Sequence, residues 1–266
     1  MLDVLGLDRL NKVMKNRGIS LDVIDDMIEL FNYQDPEGRE LLFELLSRFE
    51  VCEFDQYKIK GRALADALIG VLPDELKAVV LLPVLDKVPA AKSKSGDAVA
   101  WMMSRSLKRA AFSSGRSFEM ASQTVSSSAL ARASTTAFLM VDDYIGSGKT
   151  ANSAVSRLIE QGVPPENITV AAFVGMTAAK LRLAPIGVRT LFLSTLSKGI
   201  SDAPGIADKK KAISVMRRME DSMEVGRQFK LGFEKSEALA LMCFCPNNTF
   251  PVFWWKGPTW SGVFER

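Results

Sequence analysis

The 266 residues are 24% charged and 47% hydrophobic with a formal net charge of +3, the composition of one folded domain or of a domain carrying a smaller appendage. No histidine is present, which excludes Ser-His-Asp and Cys-His catalysis, histidine-ligated metals and histidine pH switching. Three cysteines (Cys52, Cys243 and Cys245) make neither a zinc quartet nor a disulfide framework. With no signal-peptide pattern and no apolar run longer than Ala78 to Leu85, the chain reads as cytoplasmic, without a membrane partner.

In chain order, the first seventy residues carry helical patterns. Ser20 caps a segment with Ile24, Met27, Ile28 and Phe31 on one face, and Asp35-Pro36 is a cap followed by proline at the first helical position. Leu41, Leu42, Leu45, Leu46 and Phe49 form the next stripe, and a further helix is predicted from about Tyr57 to Val71. Val79 to Leu82 is short and wholly apolar, as a strand buried on both faces would be. A polar stretch, Lys92 to Gly96, leads into a helix from Asp97 to about Arg109; Phe112 to Ser134, rich in Ser, Ala and Thr, reads as a long mobile loop. Strands are then predicted at 136–141, 168–174 and 188–193, alternating with helices at 151–161 and 177–183. Residues 206–220 read as a helix, and 238–244 and 250–255 as late strands completing a sheet edge.

The βαβαβ alternation predicts an α/β fold, a central and mainly parallel sheet flanked by helices, with a helical cap at the N-terminus. The expected division is a helical module at 1–72 and an α/β domain at 73–266. Charge is unevenly spread: residues 1–50 hold 11 acidic and 6 basic side chains, whereas 92–132 hold 7 basic and 2 acidic. Such a basic stretch suits a polyphosphate or nucleic-acid ligand, although each single cation also reads as an ordinary surface charge.

The chemistry-bearing segment is Phe138-Leu-Met-Val-Asp-Asp-Tyr-Ile-Gly-Ser-Gly-Lys-Thr150. A buried strand delivers its C-terminal end to the crevice where open α/β sheets bind ligands. Gly146 and Gly148 let backbone amides approach a phosphate, Ser147, Lys149 and Thr150 line the same loop, and the following helix aims its positive end at an anion. Asp142 and Asp143 stand about one ribose away, placed to accept from sugar hydroxyls. A triphosphate P-loop is excluded by Asp143, which stands where that motif requires glycine.

These 13 contiguous residues resemble the signature of the type I phosphoribosyltransferases: an apolar strand, two acids, then a small Ser/Thr-Gly-x-Thr loop. The resemblance implies that Asp142 and Asp143 bind the ribose hydroxyls of phosphoribosyl pyrophosphate and that Gly146, Ser147, Gly148, Lys149 and Thr150 hold its 5′-phosphate. It implies Mg²⁺ brought in by the substrate, with no direct protein ligand. Lys87, Lys92, Lys94 and Gly96 are its candidates for a pyrophosphate loop, and Arg116 for a closing lid.

Asn247, Asn248 and Thr249 are candidates for an acceptor pocket, and Trp254, Trp255 or Trp260 for stacking on a base or, alternatively, for packing a core. The helical N-terminus and the Asn-Asn-Thr-x-Pro tail are similar to a phosphoribosyltransferase-like branch of bacterial conflict systems that includes retron-associated anti-phage effectors. That likeness implies a toxic effector, with a protein or nucleic-acid partner in a defence complex and self-association as further expectations. The alternative is a catalytically silent nucleotide-binding subunit of such a complex.

Overall fold

Caps and apolar periodicity decide where the chain becomes helical in this computed structural model, which describes residues 1–85, 95–122, 124–258 and 260–266. In chain order the regular elements are α1 (Val4–Arg17), α2 (Ile24–Tyr33), α3 (Pro36–Leu46), β1 (Glu50–Val51), α4 (Phe54–Gly70), β2 (Ala78–Pro83), α5 (Ser95–Ser113), β3 (Ser117–Met120), α6 (Ser127–Leu130), β4 (Thr136–Ile145), α7 (Lys149–Glu160), β5 (Ile168–Met176), α8 (Thr177–Leu183), β6 (Arg189–Leu196), α9 (Lys209–Ser222) and β7 (Ala240–Leu241). None of the described helices is long and apolar enough to cross a membrane.

Contacts divide the chain into two compact units, one of residues 1–53 and 196–266 and one of residues 54–195. This differs from the expected boundary at residue 72. The helix α4, read with the N-terminal module, packs on α5 and β5 of the second unit.

The second unit is the α/β layer. Its five-stranded sheet runs β3-β2-β4-β5-β6, with β2 parallel to β3 and β4, and β4 parallel to β5. All nine residues of β5 are buried, as expected of an inner parallel strand covered on both faces. On one face Ala154, Val155 and Leu158 of α7 and Ala179 and Leu183 of α8 pack with Val80, Phe138, Met140 and Val170. On the other, Tyr57 of α4 meets Phe173 of β5 edge-on, ring centroids 5.2 Å apart. Each fully buried apolar side chain contributes about 1.5–3 kcal/mol here.

The stretch expected to be a mobile loop, Phe112 to Ser134, is instead largely ordered into regular elements. Ser117–Met120 forms the edge strand β3, in register with Ala78 to Leu81, and Ser126 caps the short α6. Arg116 explains why the chain is held there. Its side chain, only 6% exposed, donates to the carbonyls of Leu76 (2.9 Å), Pro73 (3.1 Å) and Leu72 (3.3 Å), pinning the entrance of β2 to that of β3.

In the first unit, Asp35 caps α3 by accepting from the Gly38 amide at 2.7 Å, as its Asp-Pro sequence predicts. Leu10, Met27, Phe31, Leu42 and Phe49 of the N-terminal helices and the turn after them share one core with Met216, Met219, Phe253 and Trp254. The late strands are largely absent. Only Ala240–Leu241 is a strand, paired in parallel with Glu50–Val51 in a separate two-stranded sheet, and Pro251–Phe253 is a 3₁₀ turn. Proline at 251 has no amide to donate to a ladder, which disfavours a strand there.

The segment 224–237 is held in an unusual backbone path: Glu224, Leu231, Glu234, Lys235 and Glu237 all have φ between 50° and 62°. Such residues cost about 1–2 kcal/mol each and need surrounding contacts to persist. Both carboxylate oxygens of Glu220 accept the Leu231 amide, at 2.8 and 3.1 Å. Glu237 accepts from the amides of Ile200 (3.1 Å) and Ser201 (2.7 Å). Burial pushes the Glu220 carboxyl up to about 8, against the Leu231 amide, which favours the charged form.

Two outcomes are expected. Arg116→Ala removes the guanidinium from three carbonyls, of which Pro73 keeps the Leu76 amide, and lowers unfolding stability by about 2–3 kcal/mol in urea titration. Glu220 binds its proton more tightly folded than unfolded, so its contribution is complete below the ordinary glutamate range near pH 4.5 and is lost as pH rises through about 8. Between pH 5 and 9 the wild type should therefore lose stability that Glu220→Gln does not lose, as compared by urea midpoints across that range.

Candidate active site

The site starts from the alternation of a strand. β4 does not stop at Val141 but continues through both acids to Ile145, so Asp142 and Asp143 are strand residues. Asp143, 7% exposed, points to α4, and the Tyr57 hydroxyl donates to its Oδ2 at 2.6 Å. The Tyr144 amide donates to its Oδ1 at 2.7 Å. Asp142 is only partly buried and reaches the start of α5, where the Ser95 hydroxyl donates to its Oδ1 at 2.7 Å. The same oxygen accepts the Asp143 amide at 2.9 Å. From Phe138 to Ile145, Asp143 alone has no register partner on β5.

Burial first, and the neighbouring Asp143 carboxylate second, hold the Asp142 carboxyl well above the usual carboxylate range; the Ser95 hydroxyl opposes them. Two side-by-side carboxylates at the end of a buried strand resist being charged together, and a ligand bringing hydroxyl donors or a cation relieves that resistance.

After Ile145 the chain turns through Gly146, Ser147 and Gly148 into α7. Gly148 is the N-cap, with φ 74° and no capping side chain. The N-cap residue thus supplies no side-chain acceptor of its own, and the positive end of a 12-residue helix lies beside the loop. Gly148 is required twice over: its φ is left-handed, and a Cβ there would lie 3.0 Å from the Ala179 Cα of α8. Gly146 is buried, Ser147 is partly so, and Lys149 and Thr150 are exposed on the first turn. The contiguous signature is therefore brought together as one strand-turn-helix corner.

The remaining candidates lie outside this contiguous stretch. Gly96 is buried in the first turn of α5, where a Cβ would meet the Val141 carbonyl at 2.9 Å and the Val84 amide at 3.2 Å. Its lack of a side chain lets α5 rest on the ends of β2 and β4 and so brings Ser95 to Asp142. Lys87, Lys92 and Lys94 lie outside the described residues. Arg116, the lid candidate, is turned inward to the carbonyls of Leu72, Pro73 and Leu76.

Asn247, Asn248 and Thr249 belong to the first unit. There the carbonyls of Asn247 and Asn248 accept the amides of Phe233 and Ala238, and the Thr249 hydroxyl donates to the Ala240 carbonyl at 2.6 Å. Trp254 and Trp260 are buried in the core of that unit, and the Trp254 ring nitrogen donates to the Thr249 carbonyl.

Two residues of the corner, Tyr57 and Ser95, escaped the sequence analysis. A tyrosine within the buried stripe Tyr57, Gly61, Leu64, Ala65 and Leu68 signals a hydroxyl in need of a partner, without saying which. Ser95 carries no signal beyond its place near a helix start. Among the described residues no cluster of three or more acidic or cysteine side chains could hold a metal ion.

The family model described as PRTase-CE matches residues 24–266. No curated protein matches the chain. Among solved structures, the chain is similar to an orotate phosphoribosyltransferase from Aeropyrum pernix (15% identity, 53% of this chain and 70% of that one, TM-score 0.33). It is also similar to an APRTase from Giardia lamblia complexed with 9-deazaadenine (15%, 51% and 77%, TM-score 0.33). A third is a hypothetical protein from Neisseria gonorrhoeae with bound ppGpp (14%, 62% and 96%, TM-score 0.39).

Gly148→Ala should destabilise the corner by about 1–2 kcal/mol through its left-handed φ alone, with more added where α8 cannot yield. A thermal melt against wild type measures this.

Proposed function

The chain belongs to the PRTase-CE family, and from that premise we propose that it binds phosphoribosyl pyrophosphate, or a related nucleotide, with Mg²⁺ and transfers or cleaves at ribose C1. The observation that carries this reading is one corner holding two features: adjacent carboxylates at the end of β4 and the N-terminus of α7, whose N-cap is a glycine. A 5′-phosphoribosyl group has the complementary pattern, a cis-diol separated by one sugar ring from an anion. The exposed first turn, Lys149 and Thr150, and the amides after Gly148 suit the phosphate. Asp142 and Asp143 suit the hydroxyls.

Displacing the diphosphate at C1 builds positive charge on the ring and negative charge on the leaving group. The carboxylate pair orients the sugar and favours the positive ring. Mg²⁺ carried by the diphosphate supplies neutralisation of the leaving group, and hard carboxylate and phosphate oxygens are the donors it prefers. In this reading the substrate's own oxygens are the main ligands.

An effector role in bacterial conflict draws its support from the N-terminal helices α1 to α3 and the Asn-Asn-Thr-x-Pro tail. A nucleic-acid or protein partner draws support from Arg105, Lys108 and Arg109, exposed on α5 and unpaired with any acid among the described residues, next to the exposed Trp101 and Phe112. A silent binding subunit would take up the donor without releasing pyrophosphate.

Calorimetric titration of phosphoribosyl pyrophosphate with Mg²⁺ tests the reading. Wild type should bind, and Asp142→Asn/Asp143→Asn should bind more than about tenfold more weakly, a difference of about 1.4 kcal/mol. Equal affinity in the two proteins would overturn it.

A further inference from the structure

The two carboxylates of the corner are held in unlike ways. Both oxygens of Asp143 are occupied from within the protein, Oδ2 by Tyr57 and Oδ1 by the Tyr144 amide. Tyr57 is 2% exposed and fixed from both sides, edge-on to Phe173 and tilted against Phe54 at 5.8 Å. That hydroxyl cannot leave without moving α4. At Asp142, by contrast, Oδ1 accepts both side-chain and backbone donors, and no hydroxyl or amide of the described residues donates to Oδ2. Its side-chain partner Ser95 is exposed at the first residue of α5.

Each carboxylate accepts two donors of the about four it can take, so what separates them is exposure: Asp142 and its partner Ser95 reach solvent, whereas Asp143 and Tyr57 are buried. A solvent-exposed serine hydroxyl is also easily exchanged, because water replaces its bond.

We propose that Tyr57 is a positioning residue that fixes Asp143, and that the Ser95 hydroxyl is a placeholder on Asp142 which a sugar hydroxyl displaces, so that the direct contact to the donor's ribose falls on Asp142. This deepens the donor-binding reading above and rests on it. Among the described residues, the side-chain donors to the pair are Tyr57 of α4 and Ser95 of α5. Burial and the neighbouring carboxylate hold the Asp142 carboxyl above its usual range. A hydroxyl arriving from solvent meets the pair on the Asp142 side, at the exposed Ser95.

A double-mutant cycle tests the proposal, read by calorimetry with phosphoribosyl pyrophosphate and Mg²⁺ on the full chain. Tyr57→Phe should weaken binding about tenfold in the wild-type background and hardly at all in Asp143→Asn, since the tyrosine acts only through that carboxylate. Equal loss in both backgrounds, or no loss in either, overturns the positioning role. Ser95→Ala should tighten binding two- to threefold by removing the competing donor; equal or weaker binding overturns the placeholder, and this variant decides that point even if Tyr57→Phe does not fold. In the ligand-free protein, ¹³C-detected titration of the aspartate carboxyls should shift in Tyr57→Phe, and an unchanged titration counts against the proposal. Failure of the wild type to bind the donor removes the donor reading and this proposal together. Binding by the wild type that Tyr57→Phe leaves intact removes the proposal alone.

Discussion

The mutual repulsion of Asp142 and Asp143, placed side by side at the C-terminal end of a buried parallel strand, is the constraint around which the second unit is arranged. A strand there is covered on both faces, so water cannot solvate both charges fully. The two carboxyls lie close enough to act on one another, and each also meets a hydroxyl from a different helix: Tyr57 from α4 for Asp143, Ser95 from α5 for Asp142. Those helices contact one another and lie on the same sheet. The packing that builds the layer therefore also aims the donors. Gly96 shows how closely the two are linked, since even one added carbon would collide with the Val141 carbonyl and lift α5 off the strand ends.

The phosphate side of the corner follows a different logic. Gly148 makes the left-handed turn that ends β4's extension and starts α7, and its missing Cβ allows α7 and α8 to meet. Its glycine cap closes the helix start with no side chain of its own, and the exposure of Lys149 and Thr150 leaves room for an anion. The corner is thus electrically divided, with two acids on the strand side and a helix's positive end on the other, as a ligand bearing both hydroxyls and a phosphate requires.

Acidic residues in the first unit do other work. Glu220 and Glu237 are buried and receive backbone amides, holding a segment that five left-handed non-glycine residues would otherwise strain open. The carbonyls of Asn247 and Asn248 secure the same segment. Buried amides and carbonyls without partners cost as much as a lost ligand contact, which is why this segment is so fully bonded. Arg116 makes the same point beside β2, where a cation expected to face a diphosphate instead satisfies three carbonyls.

What the amino-acid sequence determined by itself is local and periodic. The strand at 136, the two acids, the glycine turn and the helix at 149 are contiguous, and each is dictated by neighbours within a few residues; the same holds for the Asp35-Pro36 cap and for α8, which spans Thr177–Leu183 as the spacing predicts. The family resemblance rested on that one continuous stretch for the same reason. Tertiary structure decided the rest. Tyr57 lies 86 residues before Asp143 and Ser95 lies 47 before Asp142, and no periodicity encodes a bond between them. Whether Arg116 faces inward, whether Ser117–Met120 joins the sheet, and whether Ala240–Leu241 pairs with Glu50–Val51 rather than with the main sheet depend on which surfaces meet. Side-chain type limits what a residue can bond; only the packed chain fixes which partner comes within 3 Å, because burial makes every unpaired polar group costly and leaves few arrangements in which all are paired.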